Sequence, residues 1–348
     1  MVRKLGIALL GALLVCAGSV NNGFAAEKIL KVGVGDAIDS DAGVFSQKFK
    51  ELVEQKTNGA VEVQIFPNCS LGDEGEMFQN VRRGTLDMTC IGIGNAVPFV
   101  SPLGVYTLPY LLTNDEEVVK ATTGEMFEYF NDVAIKRGGV RILGHCYTNF
   151  RYLTNSVRPV TKLEDVKGLK IRVPASKINV ATYQAWGANP VPMGWAETFT
   201  ALQQGVVDGQ DNPYVVNYTT KIYEVQKYLT EVHHQYSLQP LFIGEKHFKK
   251  MSPELQKVLT EAGMEAQMYI LEWQKENSVK ARDAMAAAGM QISTLQDEAE
   301  WEKRARAIWP DFYDFVGGKE VIDMVLTAIP WFPPPPALRC RLFCFLRS

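Results

Sequence analysis

Histidine is scarce: the 348-residue chain has four. His233 and His234 are adjacent, so on a regular helix or strand they point in different directions and cannot chelate one ion without a bend. A strand end or a hinge crossing accounts for the pair without any chemistry. Nucleotide-binding loops are missing as well. "VGVGDAI" and "IGIGNAV" each carry Gly-x-Gly but lack the third glycine of a dinucleotide fingerprint, and no phosphate-cradling Gly-Lys-Ser/Thr loop occurs. Neither His-Glu-x-x-His nor a Gly-x-Ser-x-Gly elbow is present, which removes the zinc-protease and serine-hydrolase arrangements. The six cysteines have no framework spacing. Cys69, Cys90 and Cys146 sit in or beside apolar stretches and read as small buried thiols, while Cys340 and Cys344 lack zinc partners. No catalytic residue, metal or cofactor follows from this inventory.

Excess charge of one sign is lacking too, with 36 basic against 39 acidic residues. Leaving out Arg3 and Lys4 gives 34 against 39, about −5, which argues against a nucleic-acid partner. Those two residues precede the chain's apolar leader, Leu5 to about Val20, and "NNGFAAEK" then places Gly23 and Ala25 at the −3 and −1 positions of a cleavage site. Residues 1–26 are expected to be a secretory signal cut after Ala25 or Ala26, with the mature chain exported. The run is shorter than the ~20 residues that a membrane span requires. At the other end, residues 331–348 contain four consecutive prolines and a basic, cysteine-containing apolar stretch, an atypical tail with no expected place in the fold.

What remains has the rhythm of an α/β protein. "EKILKVGVGD" reads as a strand, and "SDAGVFSQKFKELVEQKTNG" as a helix with Val44, Phe45, Phe49, Leu52 and Val53 on one stripe and Gly59 at its end. "AVEVQIFP" alternates strictly, so a β-α-β unit with parallel strands is predicted. A helix at "EGEMFQNVRRG" and a strand at "LDMTCIGIG" follow. A second unit begins near "VRILGHCYTNFRYLTN", giving two α/β modules in series. "SPELQKVLTEAGMEAQMYILEWQKENSVKARDAMAAAG" predicts a helix long enough to brace both, if Gly263 only dents it.

Within the second module, "LEDVKGLKIRVP" alternates Leu169, Ile171 and Val173 with Lys170 and Arg172 and stops at Pro174. An arginine among apolar strand residues must reach water or a partner anion, because burying its charge alone is costly. Arg172 lies at the carboxyl end of its strand, where α/β sheets collect ligands, though pairing with Glu164 or Asp165 is an internal alternative. Arg151 in "TNFRYLTNS" is a second candidate, with a plain surface charge as the alternative. Asn212 in "VVDGQDNP" is a third, and it could simply close a turn before Pro213.

The blocks "FPNCSLGDEGEMFQNVRRGTLDM", "LEDVKGLKIRVP", "GANPVPMGWAETFTALQQGVVDGQDNP" and "KIYEVQKYLTEVHH" resemble, in order, those of the solute-binding subunits of tripartite ATP-independent periplasmic (TRAP) transporters, the DctP-type proteins. The likeness runs from about Lys28 to Leu326. It implies a two-domain α/β periplasmic binding protein fold, a clamshell with a long helix bracing both domains. The expected division is 27–149 plus about 238–277 for domain I, and 150–237 plus about 278–330 for domain II. It also implies a small organic acid as ligand, with Arg172 forming a paired salt bridge to its carboxylate and Arg151 and Asn212 lining the same pocket. Glu74, in another family block, is expected to contact a polar end of the ligand or to cap the following helix. Trp195 and Phe199 are expected to supply an apolar wall or to belong to the core. Sialic-acid-binding members carry an acidic residue where Gly92 stands here. The implied partners are the ligand and the membrane subunits of a transporter, with a monomeric protein and no nucleic acid. Presenting the ligand to a membrane sensor is an alternative role, and a periplasmic enzyme using His234 or a cysteine is a more distant one.

Overall fold

The computed structural model describes residues 28–328; the expected signal segment and the 331–348 tail lie outside them. Strand β1 (Lys28–Val34) leads into the helix Asp41–Lys56, which starts where Gly43 N–H donates to the Ser40 hydroxyl at 3.1 Å. The helix ends as Gly59, at a φ of +81° that glycine adopts without strain, donates its N–H to Glu54 O at 2.9 Å. β2 (Val61–Phe66) then returns parallel to β1, Lys28 opposite Val61, so the predicted β-α-β unit is formed.

Along the chain, β3 (Met88–Cys90), β4 (Val140–Phe150) and the late strand β10 (Tyr236–Gly244) complete a sheet in the order β2-β1-β3-β10-β4. The second sheet contains β5 (Tyr152–Asn155), β6 (Lys170–Val173), β7 (Asn189–Pro192), β8 (Gly209–Asn212), β9 (Tyr228–Glu231) and β11 (Gln291–Thr294), in the order β11-β9-β5-β8-β6-β7. Each sheet has its own core. Phe45, Phe49, Phe78, Phe130 and Phe242 are buried in the first lobe, and Val166, Ile171, Tyr183, Trp186 and Trp301 in the second. Mixed sheets covered by helices on their faces need apolar side chains on both sides, and all nine residues of β10 are buried.

Two strand connections pass between the lobes side by side. Arg151 alone separates β4 from β5, its N–H donates to Gln235 O at 3.0 Å on the return path from β9 to β10, and Phe150 pairs with Tyr236. The helix Pro253–Ala287 supplies a third link, about 50 Å long at ~1.5 Å per residue. Ser252 caps it, accepting from Leu255 N–H at 3.2 Å, and Pro253 opens it where a missing N–H costs nothing. Leu259, Ala262, Ala266 and Ile270 pack into the first core, while Ala281 and Met285 join Tyr214 and Leu229 in the second lobe. Gly263 does not dent this helix. It lets β4 come close: a Cβ on Gly263 would stand 2.1 Å from Leu143 O, and one on Gly144 would stand 2.5 Å from Gly263 O.

Two expectations need correcting. The strand read at "LDMTCIGIG" stops at Cys90, because Gly92 N–H turns to the Glu74 carboxylate at 3.3 Å and Ile93–Ala96 coil into a helical turn. Residues 278–330 do not all belong to the second lobe. Trp301 and Ala305 do, but Ile308, Trp309, Val316, Val321, Ile322 and Val325 pack into the first core, as their apolar spacing allows on either lobe. No helix among the described residues is long and apolar enough to cross a membrane.

Gly263→Ala adds helix propensity worth about 1 kcal/mol but drives a methyl into backbone, and overpacking of this kind costs about 1–3 kcal/mol. The clash should win and lower the midpoint of thermal unfolding; an unchanged or raised midpoint would mean that helix and strand are not in close contact. Asp41 provides a pH test. It is buried with no partner for either carboxyl oxygen among the described residues, and burial, then the Asp36 charge, push its pKa well above the usual carboxylate range. The unfolded chain therefore loses this proton first, and stability falls as pH climbs past about 4. Asp41→Asn should stabilise the protein at pH 7, with the gain disappearing near pH 4 in urea titrations.

Candidate functional site

The carboxyl ends of strands from both sheets meet between the lobes, where a parallel sheet offers open backbone ends and room for a ligand. From the second lobe come Arg172 on β6, Asn212 on β8 and Arg151 at the crossing. The first lobe supplies Asp36 just after β1, Glu74 on the first turn of the helix Glu74–Arg83, and Asn95 on the turn after β3. With Trp195, Gln235, Ser237 and Gln239 these residues line a cleft of about 410 Å³, open mouth included.

The two arginines differ in what they already hold. Arg151 Nε lies 3.0 Å from Asp211 Oδ2, and a second donor reaches Asp211 O, so its charge is neutralised within the protein. Burial opposes the Asp211 charge, but Arg151 and His234, whose Nε2 stands 3.1 Å from Oδ2, outweigh it and hold the carboxyl below its ordinary range. Arg172 is 1% exposed and forms no ion pair among the described residues. Its Nε and Nη2 both donate to Met193 O, at 3.0 and 2.8 Å, and its guanidinium carbon stands 5.4 Å from the centre of the Trp195 ring. One edge of the fork is thus held by a carbonyl, leaving the end-on pair of N–H donors. Glu164 and Asp165 are not its partners: Glu164 pairs with Lys167, and Asp165 accepts from Thr161 and Lys162. Burial, then the like charge of Arg151, lowers the Arg172 pKa to about 10, which still leaves it cationic at neutral pH.

Opposite stand two carboxyl groups. Glu74 Oε1 accepts from Gly92 N–H and Oε2 from Asn95 Nδ2, and Gly35 must lack a side chain because its Cβ would lie 2.1 Å from Glu74 Oε1. Burial, then Asp36, pushes Glu74 up to about 8. Asp36 Oδ2 accepts from Gln239 Nε2 at 2.7 Å; burial raises its pKa, while Gln239, Trp195 and the two arginines draw it down. Of the sequence candidates, Arg172, Arg151, Asn212, Glu74 and Trp195 reach this cleft. Phe199 does not: it lines an adjoining groove of about 810 Å³, open space included, with Cys69 and Lys221, and Trp195 is the wall between the two. His234 is buried among Tyr183, Trp186 and Asp211 rather than in the cleft, and burial first raises the Cys69 thiol pKa, so neither is placed as a base or nucleophile. Sequence reasoning missed Asp36 and Gln239; the strand-end rule applied to Arg172 would have found Asp36.

The lobes also touch directly. Ala196 N–H, in the first turn of the helix Trp195–Gln203, donates to Asp73 Oδ1 at 2.9 Å, across 123 residues of sequence. Gly194 at this helix's N-cap has no side chain, so the capping carboxylate comes from the other lobe.

Two α/β lobes, three connections and a charged cleft between them define a clamshell solute-binding protein. Residues 39–314 match the family model "Bacterial extracellular solute-binding protein, family 7", DctP, and the chain belongs to that family, whose members are transport binding proteins rather than enzymes. It is 30% identical to the 2,3-diketo-L-gulonate-binding periplasmic protein YiaO of Escherichia coli over 305 residues, 88% of this chain and 89% of that protein. A TRAP periplasmic solute-binding protein from Polaromonas sp. JS666, solved with D-erythronate bound, is 30% identical and superposes with a TM-score of 0.82 over 86% of this chain and 98% of its own. One from Rhodobacter sphaeroides, described as open and ligand-free, is 39% identical, covers 87% and 98%, yet scores 0.72. Better agreement with the bound relative despite lower identity, together with the Asp73–Ala196 contact, identifies the conformation here as closed.

Asp73→Ala removes the cross-lobe cap, worth about 1 kcal/mol, in the closed form alone, while the capping box that Asp73 forms with Glu76 on its own helix is lost equally from both forms. The open fraction should rise about fivefold relative to the closed one. Small-angle scattering would show a larger radius of gyration, and an unchanged radius with unchanged closing kinetics would remove Asp73 from the closing contact.

Proposed function

We propose that the protein captures a small organic acid in the cleft, closes on it and delivers it to the membrane subunits of a TRAP transporter. The single observation that carries this reading is Arg172: a buried guanidinium whose free edge faces a cleft and meets no protein carboxylate among the described residues. A fork of two parallel N–H donors matches the two oxygens of a carboxylate, fixing orientation as well as adding charge attraction. Met193 O and Trp195 hold the fork before the ligand arrives, so little side-chain freedom is lost on binding. Arg151 supports the same pocket while tied to Asp211, and Asn212, with one N–H given to Gln210 Oε1 at 2.7 Å, keeps its remaining hydrogen-bonding capacity for the ligand. Closure follows from contacts that reach the ligand from both lobes only in the closed form, a differential affinity that shifts the population. Export places this cycle in the periplasm, with the signal segment removed after Ala25 or Ala26.

Arg172→Lys keeps the charge and removes the fork. It should weaken calorimetric affinity for the best carboxylate in a thermal-shift panel at least 10-fold, in line with about 1.5–3 kcal/mol for hydrogen bonds to charged groups. Unchanged affinity would remove Arg172 from the carboxylate site.

A further inference from the structure

We infer that the cleft selects a polyhydroxylated monocarboxylate over a dicarboxylate, a specificity that rests on the reading of Arg172 as the carboxylate receptor. The groups lining the cleft are unevenly divided. Arg151 is already neutralised by Asp211 at 3.0 Å, which leaves Arg172 as the single cationic fork and so a place for one carboxylate. The remaining ionisable lining groups are acidic: Asp36, 2% exposed, and Glu74, 3% exposed. Beside them Gln239, 5% exposed, spends an N–H on Asp36 Oδ2, and its Oε1 has no hydrogen-bond partner among the described residues.

Carboxylate and amide oxygens accept hydrogen bonds, and a buried acceptor left without a donor is costly. The donors they have are protein groups that fix them in place: Gly92 N–H and Asn95 Nδ2 for Glu74, Gln239 Nε2 for Asp36. Their remaining lone pairs, and Gln239 Oε1, call for donors from the ligand. Alcohol hydroxyls supply donors without charge. A second ligand carboxylate supplies only acceptors, so it leaves Gln239 Oε1 without a donor, and its charge would enter a lobe with no free cation to receive it, where burial already disfavours the ionised form of Glu74. An unsubstituted alkyl chain would leave the same oxygens unpaired, and sites built to bond a hydroxyl reject analogues lacking it strongly. The cleft therefore reads its ligand from both ends, one carboxylate at Arg172 and a row of hydroxyls toward the first lobe.

Titration calorimetry on the full mature chain with matched four-carbon probes tests this: erythronate with one carboxylate and three hydroxyls, succinate with two carboxylates, and butyrate with one carboxylate and no hydroxyl. Five- and six-carbon aldonates extend the panel. At least one aldonate should bind 10-fold or more tightly than both succinate and butyrate. Succinate binding as tightly as every aldonate would overturn the selectivity while leaving carboxylate capture standing. Failure of every carboxylate to bind would overturn both readings. Glu74→Gln, whose folding is checked by its ligand-free melt, should reduce the aldonate-to-succinate affinity ratio at least 10-fold. An unchanged ratio in that folded variant would overturn the assignment of hydroxyl contacts to this carboxyl.

Discussion

A buried guanidinium without a carboxylate is an unfavourable thing to fold around, because desolvation of the charge is not repaid by a partner ion. Arg172 is held in that condition by its neighbours. Met193 O takes two of its hydrogens, the Trp195 ring lies near its cation, and the charge of Arg151, itself tied to Asp211, pushes against it. The carbonyl satisfies hydrogen bonds and the ring lies against the cation, but neither cancels its charge. Had Asp211 been placed on Arg172 and the carbonyl on Arg151, the uncompensated charge would stand at the crossing instead of at the end of β6. Where uncompensated positive charge faces the cleft is thus a matter of which of two adjacent arginines receives the internal carboxylate.

That distribution depends on how the lobes are joined. β4 passes into β5 with Arg151 as the sole residue between them, so the paired arginine is part of the crossing itself. Asp211 faces it from β8, where Leu153 and Asp211 are cross-strand neighbours. The ion pair therefore stays within the second lobe and the crossing, and is not broken when the first lobe moves away. Asp36 and Glu74 move with the first lobe, which separates the acidic half of the cleft from its cationic half on opening.

The sequence was most legible where one strand or helix carried its own pattern. The alternation of Val61, Val63 and Ile65 and the stripe through Phe45, Phe49 and Val53 became the elements predicted, and Arg172 stands at a strand end as its alternation implied. Pairings across long separations were not legible. Nothing local distinguishes Arg151, which finds Asp211 sixty residues on, from Arg172, which finds a carbonyl. The end of β3 is not legible because the N–H of Gly92, two residues on, is claimed by Glu74, a residue earlier in the chain and on another element. The helical segment after Ile308 was given to the second lobe because it follows β11, whereas its apolar face packs on the first. Phe199 carries an aromatic ring of the right kind near the right turn, but one helical turn beyond Trp195 it faces the adjoining groove.

The meeting of Gly144 and Gly263 has a mechanical consequence. With no side chains between them, the backbone of β4 and that of the long helix are in direct apposition, and neither can slide without steric collision. The front half of that rod is consequently rigid with the first lobe. Rotation has to be absorbed beyond it, in the rod's far half and the paired crossing strands, so the first lobe and the front of the rod turn together as one body.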